Sequence, residues 1–282
     1  MRILVVNCNT STVITEVIAA GARAAATPGT EIIAVQPGWG PASAEGYYES
    51  LVTATAVLDT VLGTSETFDA VVMAGYGEHG REGVRQVLDV PVVDITEASA
   101  LLAVLVSHRF GVVTTVASTL AGIEDSLRSA GLWERCAGVR ATAVPVVTIH
   151  DDAEASVELL VEQGRDLLAA GADSLVLGCA GFAGLDRRME AALGVPVFDS
   201  VASGVALAED LVHLGKRTSK KGPFAGPDPA KGWTGWRPGS GRHPDQPVPA
   251  GAGDRHAEHS RATTRGTGAE QLRERPAVAH RR

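Results

Sequence analysis

Lysine is missing from most of this 282-residue chain, in which the first lysine is Lys216. A Schiff base with pyridoxal phosphate needs a lysine, and so does a phosphate-binding loop that ends in Gly-Lys-Ser/Thr. Neither can be built in the first 215 residues. The same stretch holds 11 arginines and 27 acidic residues, a net charge of −16, which argues against a body that binds nucleic acid.

Cysteines and long apolar runs are also scarce. The three cysteines are an odd number and are widely spaced, so they do not form a disulfide framework. No apolar run reaches the ~18 residues of a membrane span, and the start, Met1–Val6, lacks the basic region of a leader peptide. We therefore expect a cytoplasmic protein without membrane contact. We also expect a homo-oligomer.

Aromatic residues make up only 4% of the chain although 45% of it is hydrophobic, which indicates a core of Val, Leu, Ile and Ala. Such a core is typical of parallel sheets covered by Ala-rich helices. The tail differs, since residues 239–282 are rich in Gly, Pro, Arg and His and have almost no apolar periodicity. They cannot bury enough surface to offset their ordering entropy, so we expect a disordered basic tail.

The first 215 residues contain an internal repeat. Three strand-like segments recur with a spacing that drifts only from 107 to 104 residues, and each copy is followed by a similar loop or helical pattern. The matched segments are Ile3–Asn7 with Phe110–Thr114, Asp69–Gly75 with Asp173–Cys179, and Val90–Asp94 with Val195–Asp199.

Each half predicts the order β-α-β-α-β-α-β-α. We expect an α/β fold of two similar flavodoxin-like lobes, each a four-stranded parallel sheet flanked by helices and related by a pseudo-twofold. Ligands bind beyond the carboxyl ends of such strands, so the active site should lie between the lobes. The alternative is one continuous sheet without a shared cleft. The strands are expected to begin near Ile3, Glu31, Ala70, Val92, Phe110, Ala141, Ser174 and Val197.

The repeat also predicts the domain organisation. Residues 1–96 with 200–215 form the first lobe and residues 97–199 the second, followed by a C-terminal extension over 216–238 and then the tail.

Cys179 is the one thiol placed for chemistry, in Leu177-Gly-Cys-Ala-Gly181 at the end of a strand that leads into a helix. Amides at a helix start lower the pKa of a thiol and favour the thiolate. A free cysteine is equally common as a small buried apolar residue, so both interpretations stay open. Cys136 is expected to be helical and packed, without a role.

Further candidates lie at the other strand ends. The segment Asn7–Thr12 offers side-chain oxygens and amides that can bind a carboxylate or an imide ring, although helix caps use the same residues. Ala74–Gly80 has three glycines whose amides could approach an anion, or that could form a plain turn. The predicted substrate-binding residues are Asn7, Asn9, Thr10, Ser11, Gly75, Tyr76, Gly77, Thr114, Thr115, Ala180 and Gly181.

No cofactor is predicted. The histidines show no metal-ligand spacing, and no Gly-x-Gly-x-x-Gly follows the first strand, which argues against a dinucleotide.

Taken together, the motifs resemble the cofactor-independent aspartate/glutamate/hydantoin racemase superfamily, and most closely its hydantoin/allantoin racemase-like branch. The resemblance covers most of residues 1–236. It is carried by Asn7-x-Asn-Thr-Ser11, Gly75-x-Gly-Glu-x-Gly80, Pro91-Val-Val, Gly111-Val-Val-Thr-Thr115, Leu177-Gly-Cys-Ala-Gly181, Arg217-Thr-Ser-Lys220 and Thr234-Gly-Trp236.

The resemblance implies racemisation of a small hydantoin- or amino-acid-like substrate that bears a carboxylate or imide. Two cysteines on opposite faces of a carbon next to a carbonyl exchange its proton, without metal or pyridoxal phosphate. Cys179 matches the second of these cysteines.

The chain departs from the family at the first cysteine, where it has Gly75. Three side chains could supply the missing base: His79, which we rank first because its ordinary pKa is near ~6.5, then Cys8 in place of a proline common in the family, or Glu78 if desolvated. Two other functions stay open: a single-cysteine decarboxylase of the malonate type, and a non-catalytic binding protein of the same fold.

Overall fold

The computed structural model describes residues 1–146, 149 and 153–240. The tail that we expect to be disordered, residues 239–282, lies outside this range except for its first two residues.

Within these residues, eight parallel strands form two separate four-stranded sheets, so the two-sheet prediction is confirmed and the single continuous sheet is wrong. The first sheet has the order β2-β1-β3-β4 and the second the order β6-β5-β7-β8, which is the same topology repeated. The strands are β1 Arg2–Asn7, β2 Glu31–Val35, β3 Ala70–Ala74, β4 Val92–Asp94, β5 Phe110–Thr114, β6 Cys136–Ala141, β7 Ser174–Leu177 and β8 Val197–Phe198.

Helices flank both sheets, and the central strands β1, β3, β5 and β7 are almost wholly buried between them. Continuous Val, Leu and Ile runs suit such strands because both of their faces are covered. The helices are α1 Thr12–Ala25, α2 Tyr47–Gly63, α3 Arg81–Val87, α4 Ile95–Val106, α5 Leu120–Ser129, α6 Ala153–Ala169, α7 Asp186–Leu193 and α8 Ser200–His213.

The sixth strand is the one element that the sequence pattern misplaced. It begins at Cys136 rather than near Ala141, where it ends. Cys136 is buried but opens a strand rather than lying in a helix, so that part of the prediction is wrong. The prediction placed the strand too late because a more apolar run follows it, beginning at Val144. The strand itself is interrupted by small and charged residues.

Repeated caps position the last helix of each half. Asp94 accepts hydrogen bonds from the first amides of α4, and Asp199 does the same for α8. Helix α8 then returns to the first sheet, where Gly204 lies so close to β3 that a Cβ there would be 2.9 Å from Val72. The division into residues 1–96 with 200–215 and residues 97–199 stays a prediction.

The extension after α8 lies along the first sheet's side of the molecule. Lys220 donates to the carbonyls of Arg85 and Gln86 at the end of α3. Trp236 packs edge-on against Trp39, with ring centroids 5.5 Å apart. Within the part of the chain that the structure describes, no helix is both long and apolar enough to cross a membrane.

Candidate active site

The carboxyl ends of β1 and β3 lie side by side because Asn7 pairs with Ala74 in the parallel register. The next residues along the two strands are Cys8 and Gly75. The sequence therefore puts a thiol and a glycine on neighbouring strand ends of the first sheet.

The second sheet repeats this arrangement with the residue types changed. Val113 pairs with Leu177, so two residues further on Thr115 lies beside Cys179. Here the sulfur is on the end of β7, whereas in the first sheet the equivalent position on β3 is Gly75.

All four strand ends line one small cavity of about 40 Å³ between the two sheets. Both halves therefore contribute to a common pocket, and Cys179 and Gly75 both lie on its wall. The predicted residues found on its wall are Asn7, Cys8, Asn9, Gly75, Tyr76, His79, Thr114, Thr115, Cys179, Ala180 and Gly181.

Cys179 is 9% exposed and precedes a single 3₁₀ turn, Ala180–Phe182. Burial raises the pKa of the Cys179 thiol to about 12, while a hydrogen bond from the Gly181 amide opposes the rise and the charge of Glu45 adds to it. The helix-start amide acts in the expected direction, but desolvation is the larger effect. The resting residue is therefore a neutral thiol at pH 7.

Cys8 is a second thiol on the same cavity. Burial, and after it the charge that Cys179 carries as a thiolate, raise the pKa of Cys8 to about 12. The two sulfurs are thus close enough for ionisation of one to disfavour ionisation of the other.

The side chain of Cys8 occupies the space beside Gly75. A Cβ built on Gly75 would lie 2.6 Å from Cys8 Cβ and 2.9 Å from Cys8 Sγ. It would also lie 2.5 Å from the ring carbon Cδ2 of His79. Glycine is therefore required at position 75 by the neighbours that surround it.

His79 is 5% exposed, and burial lowers its pKa to about 4, so the ring is neutral at pH 7. Its Nε2 lies 3.3 Å from the carbonyl oxygen of Tyr76, which the Nε2–H tautomer satisfies. Nδ1 is buried without a hydrogen-bond partner among the described residues.

Residues 3–208 match the family described as Asp/Glu/Hydantoin racemase. The chain belongs to this racemase family. The resemblance inferred from the motifs is thereby confirmed.

Similar proteins come from the hydantoin and allantoin branch of the racemase family. The hydantoin racemase of Pseudomonas sp. (strain NS671) is 39% identical over 230 residues, which are 81% of this chain and 92% of that protein. The crystal structure of allantoin racemase from Pseudomonas fluorescens is 49% identical with a TM-score of 0.81, covering 83% of this chain and 100% of that one. Allantoin racemase from Klebsiella pneumoniae is 38% identical with a TM-score of 0.79, covering 83% and 96%.

The asparagines of the first loop hold this racemase-family site together from within. Asn7 donates to Asn9 at 3.0 Å and to Thr15 at 2.9 Å, and it accepts from the Asn9 amide at 3.2 Å. Thr10 and Ser11 line neither of the two cavities at this site; Thr10 bonds to the Pro41 carbonyl, and Ser11 caps α1. Their predicted contact with substrate gains no support from these positions.

Two backbone amides of the glycine loop already donate hydrogen bonds within the protein. The Gly77 amide donates to Thr96 Oγ1 at 2.8 Å, and the Gly80 amide to Glu78 Oε1 at 2.7 Å. Glu78 also pairs with Arg81 at 3.0 Å and its side chain is 43% exposed, so it is not the desolvated base that the sequence allowed for.

A larger cavity of about 480 Å³ adjoins the small one, and the two share Ala44, Tyr76, His79 and Thr119 on their walls. Gly77 lines this cavity rather than the smaller one, as do Tyr47, Leu51, Ile123 and Ser126.

Glu45 was missed at the sequence level. It accepts a hydrogen bond from the Val146 amide at 3.0 Å and acts on the pKa of Cys179. Its loop follows the carboxyl end of β2, which is the signal that would have found it. Among the described residues no cluster of His, Cys, Asp and Glu is arranged to hold a metal.

Proposed function

We propose that this protein is a cofactor-independent racemase of five-membered cyclic imides of the hydantoin type, with Cys179 as an acid/base. The observation that carries the proposal is the Cys179 thiol on the wall of a cavity between two sheets, at the strand ends where ligands bind. Similarity to hydantoin and allantoin racemases within the same family supports the proposed substrate class.

The chemistry needs no cofactor because the substrate carbon lies next to a ring carbonyl. Removal of its proton leaves an electron pair that the carbonyl accepts, and the carbon becomes planar. Return of a proton to the other face inverts the configuration. A small cavity suits this reaction because bound substrate displaces most of the water from around the planar intermediate.

We expect different parts of the substrate to lie in the two adjoining cavities. The reacting carbon and the imide lie in the small cavity, where Asn9, Thr115 and the Gly181 region face them, and the ring substituent extends into the larger one. Tyr47, Leu51 and Ile123 make part of that larger wall apolar, which favours hydantoins with apolar substituents. The three free cysteines support a cytoplasmic location, which stays a proposal, and the homo-oligomer stays a prediction.

Loss of optical activity in single enantiomers of substituted hydantoins and of allantoin tests the proposal. We expect the wild type to racemise at least one of them, Cys179→Ser to lose the activity by about 10²–10⁴-fold, and Cys136→Ser to retain it. Cys136 is the matched control because its thiol is also buried but lies at the start of β6, outside the cavity.

Two results would contradict the proposal. Carbon dioxide release from substituted malonates without racemisation would identify a decarboxylase. Tight binding of hydantoins without turnover by the wild type would identify a binding protein.

A further inference from the structure

We propose that Cys8 is the second acid/base of this site, so that the thiol absent from the end of β3 is supplied by the neighbouring strand β1. This inference rests on the proposed racemase activity and names the group that works on the face opposite Cys179.

The placement comes from the strand register. Because Asn7 pairs with Ala74, Cys8 and Gly75 are the first residues beyond two adjacent strands. A side chain on either position enters the same corner of the cavity. The distances of 2.6 Å and 2.9 Å from a Gly75 Cβ to Cys8 Cβ and Sγ show that this corner holds one side chain but not two.

The glycine and the cysteine are therefore two parts of one arrangement. Gly75 leaves the volume open, and Cys8 fills it with a thiol. In the other sheet the equivalent pair is Thr115 and Cys179, where the strand β7 carries the sulfur. Each half thus presents one sulfur to the cavity, from different strands.

The other candidate bases are less well placed. The His79 atom nearest to the open Gly75 position is the ring carbon Cδ2, which cannot exchange a proton, and its Nε2 lies against the Tyr76 carbonyl. Glu78 is held by Arg81 at the exposed side. This geometry reverses the order in which the sequence ranked His79 and Cys8, and it gives His79 the role of packing against the Cys8 side chain.

The proposed reaction balances with one thiolate and one thiol. The Cys179 thiolate forms an S–H bond as the C–H bond of one enantiomer breaks, and the electron pair passes to the ring carbonyl. Cys8 then gives its thiol proton to the opposite face and becomes the thiolate. In the reverse direction the two sulfurs exchange roles.

The interaction between the Cys8 and Cys179 sulfurs favours a state with one thiolate and one thiol. A thiolate at Cys179 raises the pKa of Cys8, so a state with two thiolates is disfavoured. The active form therefore retains a proton donor opposite the base, and one negative charge moves between the sulfurs in each turnover.

Deuterium exchange at the stereocentre, measured separately for each enantiomer in D₂O, tests the assignment. With Cys8→Ser, we expect racemisation to fall by about 10²–10⁴-fold while one enantiomer still exchanges its proton. With Cys179→Ser, racemisation should fall similarly and only the opposite enantiomer should exchange. Cys136→Ser should behave like the wild type in both assays.

The outcomes separate the two proposals. A wild type that neither racemises nor exchanges any hydantoin rejects the proposed function itself. An active wild type whose Cys8→Ser variant racemises at an undiminished rate overturns the Cys8 assignment alone. The Cys8 assignment is also overturned if His79→Asn, and not Cys8→Ser, loses deuterium exchange for one enantiomer only.

Moving the thiol back to β3 gives an independent test. Cys8→Gly removes the two Cys8 contacts that block residue 75 and leaves room for the His79 ring to move. We expect Cys8→Gly to be inactive and the double variant C8G/G75C to regain at least about tenfold in racemisation, a small part of the contribution of one acid/base. A folded double variant, checked by circular dichroism, that stays as inactive as C8G would contradict the claim that both positions serve one face.

Discussion

Two thiols, rather than one, face the cavity of this racemase-family protein: the buried Cys179 and the half-buried Cys8. Cys8 and His79 both approach the place where a side chain at position 75 would begin. The sequence identified Cys179 and Gly75 as the important positions, because the internal repeat aligned them. It could not show that Cys8 fills the gap, because that depends on the pairing of β1 with β3, which brings residues 67 positions apart into contact.

The pH dependence follows from the burial of the thiols. Burial raises the pKa of Cys8 and of Cys179 to about 12, so the thiolate fraction in the free enzyme increases with pH. We expect kcat/KM to rise about tenfold per pH unit between about pH 7 and 9, since kcat/KM reports the free enzyme. The measurement is initial racemisation rates corrected for substrate ionisation. A profile that falls above pH 7 would contradict a buried thiolate base.

Gly75→Ala tests the crowding at this position. The added Cβ would meet His79 and Cys8 at 2.5–2.9 Å, so we expect a loss of about 1–3 kcal/mol in the free energy of unfolding and a reduced racemisation rate. Gly83→Ala is the matched control, since its Cβ would meet only Leu58 methyl carbons at 3.8–4.0 Å within helix α3. That variant should be as stable as the wild type or more so. Equal behaviour of the two variants in urea denaturation would show that position 75 is not crowded.

Among the secondary-structure elements, the repeat predicted nearly everything that positions the site. Seven strands begin within one residue of the expected position, because each combines a continuous apolar run with a polar or glycine boundary. β6 was misplaced because its own residues are less apolar than the segment that follows it. The return of α8 to β3 was expected from the repeat, but the close approach at Gly204 depends on packing that no local pattern encodes.

The caps of α4 and α8 give a prediction for these elements. Asp199 accepts from the amides of Val201 and Ala202 at 2.8 and 3.0 Å and from Gly184 at 2.7 Å. We expect Asp199→Ala to lower the free energy of unfolding by about 0.5–2 kcal/mol. Asp199→Asn should lose less, because its amide oxygen still accepts from the helix amides. Urea denaturation of both variants measures the difference, and a larger loss for Asn than for Ala would contradict a capping role.

For the molecule as a whole, a buried arginine connects the two halves. Arg81 is 2% exposed on α3, lies 3.5 Å from Asp94, and donates to Ser126 and Ser129 of α5 at 2.9 and 2.8 Å. Tyr47 and Asp125 add a further link at 2.6 Å near the rim of the larger cavity. The sequence predicted two halves around a cleft but gave no sign of these connections, because arginine and serine are ordinary surface residues of short helices.

Arg81→Ala should therefore be among the more destabilising substitutions outside the cavity. It removes the cation that lowers the pKa of the Asp94 carboxyl, which burial already raises to about 7, and it breaks both hydrogen bonds to α5, so we expect a loss of about 3–5 kcal/mol. Ser126→Ala is the matched comparison, because it removes one hydrogen bond across the halves and keeps the ion pair, at a cost of about 1–3 kcal/mol. Both values are measured by chemical denaturation. A loss for Ser126→Ala as large as that for Arg81→Ala would mean that the contact across the halves, not charge compensation, is the main contribution.

A cavity with a proton acceptor on one face of the substrate carbon and a separate proton donor on the other leaves a characteristic isotope pattern. The measurement follows the wild type in D₂O at low conversion, starting from one hydantoin enantiomer, and determines deuterium in substrate and product. We expect the product of inverted configuration to carry deuterium at its stereocentre while the recovered substrate still carries protium. Product that retains the substrate's own hydrogen, or deuterium that appears equally in both enantiomers from the first turnovers, would contradict a site with one thiol on each face.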